Sequence, residues 1–197
     1  MLLRRSSIIF GQNQIKDDSN VSSDSQVKVN LGCGTDYRYG YINVDKVKGI
    51  KVDVLVDLNW NLPFRDNVFD EVLLIDVIEH LNDPEKVIEE VYRCCKNGAI
   101  VYIRSCHFTS ASTYADMQHK RGFSIRVFED YTGKTRWSFQ FKPRFKIIKR
   151  KIIFPFWNKI IERLVNRSPF TQYVYESTFI RSLFPADGVY FLLEVVK

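Results

Sequence analysis

The 197-residue chain has no apolar run that approaches the length of about 18 residues needed to cross a membrane as a helix. Its opening stretch, MLLRRSSIIF, is too short and too interrupted by charge to be a secretory signal. With neither feature present, we expect a cytoplasmic protein, and any contact with a membrane would be peripheral.

Cysteine and histidine are scarce. The four cysteines, Cys33, Cys94, Cys95 and Cys106, fit no zinc-binding spacing, and two adjacent cysteines make a poor disulfide framework. We therefore expect reduced thiols. The chain has only three histidines, and two of them, His107 and His119, lie twelve residues apart, which is not a recognised ligand spacing. The sequence therefore predicts no metal site.

Acidic residues are nearly absent from one late segment. Residues 134–170 contain eleven Lys and Arg and a single acid, Glu162, whereas the rest of the chain has 18 basic and 22 acidic residues. Residues 12–26 are rich in Ser, Asn, Asp and Gln and contain few apolar side chains. We predict a flexible leader over 1–26 and one domain over 27–197, in which 134–170 is a basic, partly amphipathic insertion.

What the chain does contain is a series of short apolar runs with β propensity. The first four are each followed by glycines or an acid: Val27–Leu31 by Gly32-Cys33-Gly34, Tyr41–Val44 by Asp45, Lys51–Val56 by Asp57, and Phe69–Ile75 by Asp76. Ligands of open parallel sheets bind at the carboxyl ends of the strands. Four such features in register are much less expected by chance than any one of them.

Helix signals occur between later strands. Asp83 and Pro84 begin a helix that Asn97-Gly98 would end, and a strand follows at Ala99–Ile103. Beyond it we predict further elements: helices at Ser124–Tyr131, Trp157–Val165 and Tyr173–Leu183, and strands at Arg136–Phe141, Phe145–Ile153 and Val189–Val196. This order predicts an α/β fold, a Rossmann-like three-layer sandwich with a mostly parallel sheet of about seven strands and an antiparallel C-terminal strand.

The link between the first two strands departs from that pattern. Only about ten residues separate them, and a parallel crossover usually takes a dozen or more with a helix. We therefore predict that the first helix is short or absent.

Together these motifs resemble those of class I S-adenosylmethionine-dependent methyltransferases, in particular the small methyltransferase-domain group (type 11-like). The similarity is carried by NLGCGT (30–35), INVD (42–45), the stretch from Val52 to Leu81, and DPEKVIEEVYRCCKNGAIVYI (83–103). The sequence departs from the usual pattern where Thr35-Asp36-Tyr37 replaces a second glycine and where the Asn97-Gly98 turn lacks Pro-Gly-Gly. The resemblance implies an enzyme that uses S-adenosyl-L-methionine.

The resemblance also implies roles for individual residues. The glycine turn would lie under the methionine part of the cofactor, Asp45 would bind the ribose hydroxyls, and Asp57 with Leu58 would flank the adenine. Asp76, Val77 and His80 would lie near the sulfonium. The full set of predicted cofactor-binding residues is Leu31, Gly32, Cys33, Gly34, Asp45, Asp57, Leu58, Asp76, Val77 and His80.

Polar residues after Ile103 are the candidates for the acceptor side. His107 and His119 are candidate general bases, since the pKa of histidine lies near working pH, and loop-stabilising hydrogen bonds are the alternative for both. The candidate acceptor-binding residues are Arg104, Asp116, Lys120 and Arg121.

The acceptor and the partners stay open at this point. An oxygen or nitrogen of a small-molecule, sugar or polysaccharide acceptor is the first hypothesis. A non-catalytic S-adenosylmethionine-binding module and a nucleic-acid methyltransferase guided by the basic segment are the alternatives. That segment also fits a solvated face, or a peripheral membrane contact through residues 154–167. No NPPY-type tetrapeptide occurs, which disfavours nucleic acid.

Overall fold

The computed structural model describes residues 26–197, so all but the last residue of the predicted leader lies outside the described residues. A seven-stranded sheet has the order β3-β2-β1-β4-β5-β7-β6. Strands β1 to β5 are parallel, and β7 is antiparallel to both β5 and β6. The strands are β1 Lys28–Leu31, β2 Ile42–Asp45, β3 Val54–Leu55, β4 Phe69–Ile75, β5 Cys95–Cys106, β6 Phe145–Ile153 and β7 Gly188–Val195. The predicted fold class is confirmed.

Chain order places the site-forming strands side by side. From β1 the chain proceeds outward through β2 to β3, and then returns to place β4 on the other side of β1. The carboxyl ends of β1 and β4 therefore flank a topological switch point, where open α/β sheets bind their ligands.

Five helices accompany the sheet: α1 Pro84–Cys94, α2 Ser112–Ala115, α3 Lys159–Val165, α4 Pro169–Ser177 and α5 Ile180–Leu183. Helix α1 begins as expected, because the Asp83 side chain accepts a hydrogen bond from the Lys86 N–H at 3.1 Å and Pro84 needs no partner for its nitrogen. It ends at Cys94, earlier than the expected Asn97-Gly98 stop, because Cys95 already pairs with Phe69 of β4.

No helix connects β1 and β2, in agreement with the prediction. A buried amide holds this connection instead. The Asn43 side chain donates to the carbonyl oxygens of Arg38 and Tyr41, both at 2.9 Å, and accepts from the Arg38 N–H at 2.8 Å. Asn30 adds a hydrogen bond to the Asp36 carbonyl at 2.9 Å. Side-chain hydrogen bonds thus satisfy backbone groups that a helix would otherwise pair.

The two faces of the sheet differ in burial. One face, with Val29, Leu31, Val72, Val101 and Phe191, belongs to a continuous hydrophobic cluster to which α1, α3, α4 and α5 contribute. The other face carries Ile75, Ile100, Tyr102, Tyr190 and Leu192, which are only half-buried and outside that cluster. The apolar core of the described residues therefore lies on one side of the sheet.

After residue 123, the structure corrects three predicted elements. The single helix expected over Tyr173–Leu183 is instead the end of α4 followed by the separate helix α5. Ser124–Tyr131 forms successive turns instead of a helix, and Arg136–Phe141 contains only a 3-10 turn at Ser138–Gln140 instead of a strand. Phe145–Ile153 is a strand as expected, so part of the basic segment is built into the sheet. None of the helices in residues 26–197 combines the length and apolar character needed to cross a bilayer.

Candidate functional site

A cavity of about 300 Å³ opens at the carboxyl ends of β1 to β4. It is lined by eight of the ten predicted cofactor residues, namely Gly32, Gly34, Asp45, Asp57, Leu58, Asp76, Val77 and His80. The other two, Leu31 and Cys33, are buried directly beside it. Residues from four separate strand ends thus meet at one place.

The floor of the cavity depends on Gly32. Its φ of +68° lies in the left-handed region that favours glycine, and a Cβ there would stand 2.6 Å from Cγ2 of Val77. The Gly32 and Cys33 N–H groups donate to the Val44 carbonyl at 2.8 and 3.0 Å. The turn is therefore pinned to β2 and packed against the residue that follows β4.

Asp45 closes the turn from the other side. One carboxylate oxygen accepts from the Gly34 N–H at 2.8 Å, and the other accepts from the Val47 N–H at 2.9 Å. Each oxygen has a second lone-pair site, so the carboxylate can still accept hydrogen bonds from a bound diol.

The Asp57 carboxylate can accept a hydrogen bond from a ligand. Hydrogen bonds from the backbone and side chain of Asn59, at 3.0 and 2.8 Å, both go to Oδ1 and lower the pKa of the Asp57 carboxyl. The group is therefore ionised near neutral pH, with Oδ2 left for an amine donor. Asn59 itself lines the cavity.

Asp76 and Arg104 form an ion pair at the mouth of the cavity. Arg104 donates to both carboxylate oxygens of Asp76, through Nε at 3.0 Å and through Nη2. That hydrogen bond raises the pKa of Arg104. Arg104 was predicted to bind the acceptor, and the structure instead places it on a predicted cofactor residue. The Asp76 backbone, at φ +56°, is a non-glycine residue in the left-handed region.

His107 lies away from the cavity and is fully buried. Its Nδ1 accepts from the Thr109 N–H at 3.1 Å, so Nε2 carries the proton and donates to Glu176 Oε1 at 3.1 Å. Burial alone would raise the pKa of Glu176, but hydrogen bonds from His107, Ser124 and Ile125 outweigh it and lower that pKa. These contacts fit the loop-stabilising alternative and give His107 no access to a ligand in the cavity.

His119 is close to the cavity, beside the lining residue Gln118. Its ring packs edge-on against His80 with 4.6 Å between ring centroids. Next to His80, Glu79 is buried and accepts from the Ser105 hydroxyl at 2.8 Å, and burial raises the pKa of its carboxyl. The structure therefore separates the two candidate general bases and leaves only His119 near the site.

The other acceptor candidates lie in the same loop as His119. Lys120 donates to the side-chain oxygen of Asn82, and its N–H donates to the Glu79 carbonyl at 2.9 Å. Arg121 donates to the Asn82 carbonyl at 3.0 Å, and Asp116 accepts from the Gln118 N–H at 2.8 Å. These contacts fix residues 116–121 against the turn that carries His80.

Sequence reasoning missed the buried Glu79 and six residues that line the cavity: Lys46, Val47, Val56, Asn59, Leu81 and Gln118. Lys46 and Asn59 directly follow strand-end positions, which is a usable signal. Gln118 reaches the cavity through a loop that no periodicity predicts. Cys33 is buried, and burial raises the pKa of its thiol, which disfavours a nucleophilic thiolate.

A second groove is larger and more open, about 540 Å³, and lies near the beginning of β4. Three of its charged residues pair with one another: Arg93 contacts Asp66 at 2.6 Å and Glu90 at 2.8 Å. It holds none of the strand-end features, so the smaller cavity is the better candidate for a ligand site.

Comparison with known proteins gives a family match for part of the chain. Residues 29–103 match the family model described as a methyltransferase domain. Norajmaline N-methyltransferase of Rauvolfia serpentina is 37% identical over 75 residues, which cover 37% of this chain and 26% of the relative. The chain spans about a fifth to a third of the length of the curated relatives it matches.

Solved structures with the same fold cover most of the chain. The YcgJ protein of Bacillus subtilis superposes with a TM-score of 0.57 at 14% identity, covering 87% of this chain and 92% of that protein. A protein of Thermotoga maritima described as a SAM-dependent methyltransferase, possible histamine N-methyltransferase, gives a TM-score of 0.55 at 19% identity, covering 88% and 83%. At these identities the likeness establishes the fold alone.

Proposed function

We propose that this chain transfers a methyl group from S-adenosylmethionine to a small-molecule or sugar acceptor. Residues 29–103 match the family model described as a methyltransferase domain, and the fold is that of solved S-adenosylmethionine-dependent methyltransferases. One observation carries the proposal. Predicted cofactor residues from four strand ends line a single cavity at the topological switch point of the sheet.

The cavity offers a partner for each part of the cofactor. Asp45 accepts the ribose hydroxyls, and Asp57, ionised and with one oxygen free, accepts the adenine amine beside Leu58. The backbone of Gly32-Cys33-Gly34 lies against the methionine part. Three acids line the cavity against one cation, Lys46, which suits a ligand with a positively charged sulfonium.

Methyl transfer needs little covalent chemistry from the protein. The acceptor atom attacks the methyl carbon as the sulfur–carbon bond breaks and its electron pair returns to sulfur. The protein holds the acceptor atom in line with that bond. Residues 116–121 border the cavity at Gln118, so this loop is where the acceptor binds, and His119 is the residue positioned to take its proton.

The acceptor is a small molecule in this proposal. One matching relative is named norajmaline N-methyltransferase. That name and the confined cavity support a small acceptor, with oxygen or nitrogen as the methylated atom.

Binding of S-adenosylhomocysteine, measured by calorimetry on the full chain, tests the proposal. Asp45→Asn removes the charge at the ribose and is expected to weaken binding about 10- to 100-fold, the range for a charge-assisted hydrogen bond. Asp36→Asn is the matched control, because Asp36 is an exposed acid in the same connection that pairs with Arg38 at 2.7 Å and does not line the cavity. Absence of binding by the unaltered chain would refute the proposal.

A non-catalytic binding module would bind the cofactor without turnover. Release of S-adenosylhomocysteine in the presence of hydroxyl- or amine-containing acceptors distinguishes the two hypotheses. Binding without turnover across both acceptor classes would favour the module.

The proposal includes a peripheral membrane contact through residues 154–167. Phe156, Trp157, Ile160 and Leu164 are exposed on one surface, with Arg163 beside them. Phe154, which belonged to the predicted surface, is buried and does not contribute. Exposed apolar residues flanked by cations are typical of surfaces that bind anionic membranes, and they favour this reading over nucleic acid.

A further inference from the structure

Three potential metal ligands converge at the edge of the cavity. One ligand atom each from Glu79, His80 and His119 lies within 4.8 Å of the other two. Zinc bonds to nitrogen and oxygen are about 2.0–2.2 Å, so two ligands of one ion stand at most about 4.4 Å apart. Binding of one ion therefore requires these side chains to move closer together.

Glu79 supplies a carboxylate with no cation of its own. The residue is 2% exposed, and among residues 26–197 no Lys or Arg forms an ion pair with it. Its Oε2 accepts from the Ser105 hydroxyl at 2.8 Å, which fixes the orientation of the group. A buried carboxylate without a countercharge is costly unless it coordinates a cation.

His80 supplies a nitrogen without any partner. Its Nδ1 is completely shielded from solvent and makes no hydrogen bond within the described part of the chain. Buried polar atoms left in this state are rare in folded proteins and call for an explanation such as an ion. His80 also lines the cavity, so an ion bound to it would be reached by a ligand there.

His119 is oriented as a metal-binding histidine usually is. Its Nδ1 lies 2.9 Å from the Ser112 carbonyl oxygen, which can only accept, so Nδ1 carries the proton and Nε2 keeps its lone pair. A backbone carbonyl on the second nitrogen is the common arrangement for a ligating imidazole.

We infer that Glu79, His80 and His119 bind a divalent first-row transition cation such as Zn²⁺. Two imidazoles and one carboxylate suit this class better than Mg²⁺, which prefers oxygen ligands. Three protein ligands leave a coordination position open, as in catalytic zinc sites. The spacing of Glu79, His80 and His119 along the chain gave no sign of this site.

The consequence for the reaction rests on the proposed function. A His119 bound to the ion through Nε2 cannot also take the acceptor's proton, so the ion replaces His119 in that role. An acceptor hydroxyl bound at the open position becomes a stronger acid, and its proton passes to water. The oxygen then forms the bond to the methyl carbon while the sulfur–carbon bond breaks and sulfur recovers the electron pair. This site favours a hydroxyl acceptor and thus O-methylation.

The test uses the full chain after treatment with a chelator. Co²⁺ is titrated in and its visible d–d absorption is recorded, followed by competition with Zn²⁺ and, separately, Mg²⁺. We expect one Co²⁺ per chain, displaced by Zn²⁺ and not by Mg²⁺. His119→Gln and Glu79→Gln should each weaken Co²⁺ binding by about 100-fold or more, since loss of an outer partner alone costs 10- to 100-fold. The Co²⁺ affinity of His80→Gln tests the third ligand independently.

Asp36→Asn serves again as the control and should leave the Co²⁺ affinity unchanged. Circular dichroism of each variant checks that it folds. Absence of a 1:1 absorption band, a band that survives all three ligand substitutions, or displacement by Mg²⁺ would each overturn the inference. S-adenosylhomocysteine binding is measured on the same samples. Binding of S-adenosylhomocysteine without a Co²⁺ site refutes only the metal site. A Co²⁺ site without binding of S-adenosylhomocysteine refutes only the proposed function.

Discussion

Gly32 shows how one residue can decide whether the cavity exists. It combines a left-handed backbone with a close approach to Val77, whereas Gly49 has a similar φ of +89° and open space around it. Alanine substitution at each of these two glycines therefore separates the free-energy cost of the left-handed backbone from that of the steric clash.

Gly32→Ala is expected to lower the free energy of unfolding by about 2–5 kcal/mol, from left-handed strain together with overpacking. Gly49→Ala should lower it by only about 1–2 kcal/mol, because it carries the strain alone. Urea denaturation measures both. Adding Val77→Ala to Gly32→Ala should recover part of the loss, and equal losses at the two glycines would contradict the role of the clash.

At the scale of single residues, the sequence predicts which side chains lie at the carboxyl ends of the strands. Asp45, Asp57 and Asp76 each follow an apolar run, and parallel strands bring their carboxyl ends to one edge. Contacts that depend on the tertiary fold could not be predicted in this way. Asp76 pairs with Arg104 and His107 with Glu176, 28 and 69 residues apart, and no local pattern encodes either pair.

At the scale of elements, the connection between β1 and β2 shows how the fold dispenses with a helix. The sequence indicated the missing helix through the length of the link, because ten residues cannot hold a full crossover helix. It did not indicate the replacement. The Asn43 side chain is buried at the centre of five hydrogen bonds, with Asp53 Oδ2 accepting from it at 3.0 Å.

Asn43→Ala should therefore lower the free energy of unfolding by about 2–4 kcal/mol, because it removes a buried amide and leaves the half-buried Arg38 N–H and Tyr41 carbonyl without their side-chain partner. Asn97→Ala is the comparison, since that exposed amide only accepts from the Lys197 N–H at 2.9 Å, and it should cost less than about 1 kcal/mol. Urea denaturation measures both variants, and a small effect at Asn43 would show that the loop is held in some other way.

Helix α4 is tied to the end of β5 by a second buried polar group. Glu176 accepts from His107, from the Ser124 hydroxyl at 2.6 Å and from the Ile125 N–H at 2.7 Å. Ser124 is thereby engaged in a long-range contact, and its stretch forms turns instead of the helix that its capping character predicts.

Since folding lowers the pKa of Glu176, its contribution is present above the usual glutamate pKa of about 4.3 and disappears as the pH falls through the lowered value. At pH 7, Glu176→Gln should reduce the free energy of unfolding by about 1–3 kcal/mol, and this difference should shrink on acidification. Glu194→Gln, at an exposed pair with Lys146, should cost less than about 1 kcal/mol at either pH. A pH-independent effect at Glu176 would contradict the lowered pKa.

At the scale of the whole molecule, the charge distribution separates two surfaces. The charged residues that line the cavity are mainly acids, and the Lys- and Arg-rich segment contributes the edge strand β6 and helix α3. Composition alone identified this segment but could not show which of its side chains are buried and which are exposed. The structure turns Val165 inward and leaves Trp157, Ile160 and Leu164 exposed, so the helix packs with one apolar face and presents another to solvent.

That exposed surface predicts preferential binding to anionic membranes. Full-length chain should co-sediment with phosphatidylcholine vesicles that contain phosphatidylserine and much less with phosphatidylcholine alone, since each Lys or Arg near an anionic surface contributes about 1 kcal/mol. Added salt should weaken the binding by screening these charges.

The double variant Trp157→Ser with Ile160→Ser should reduce the partitioning of the chain onto these vesicles about 10-fold or more, because burial of one such side chain is worth about 1.5–3 kcal/mol. Phe139→Ser, at an equally exposed aromatic outside residues 154–167, should have little effect. Salt-sensitive binding to RNA, with no response to vesicles, would instead favour a nucleic-acid partner for the basic segment.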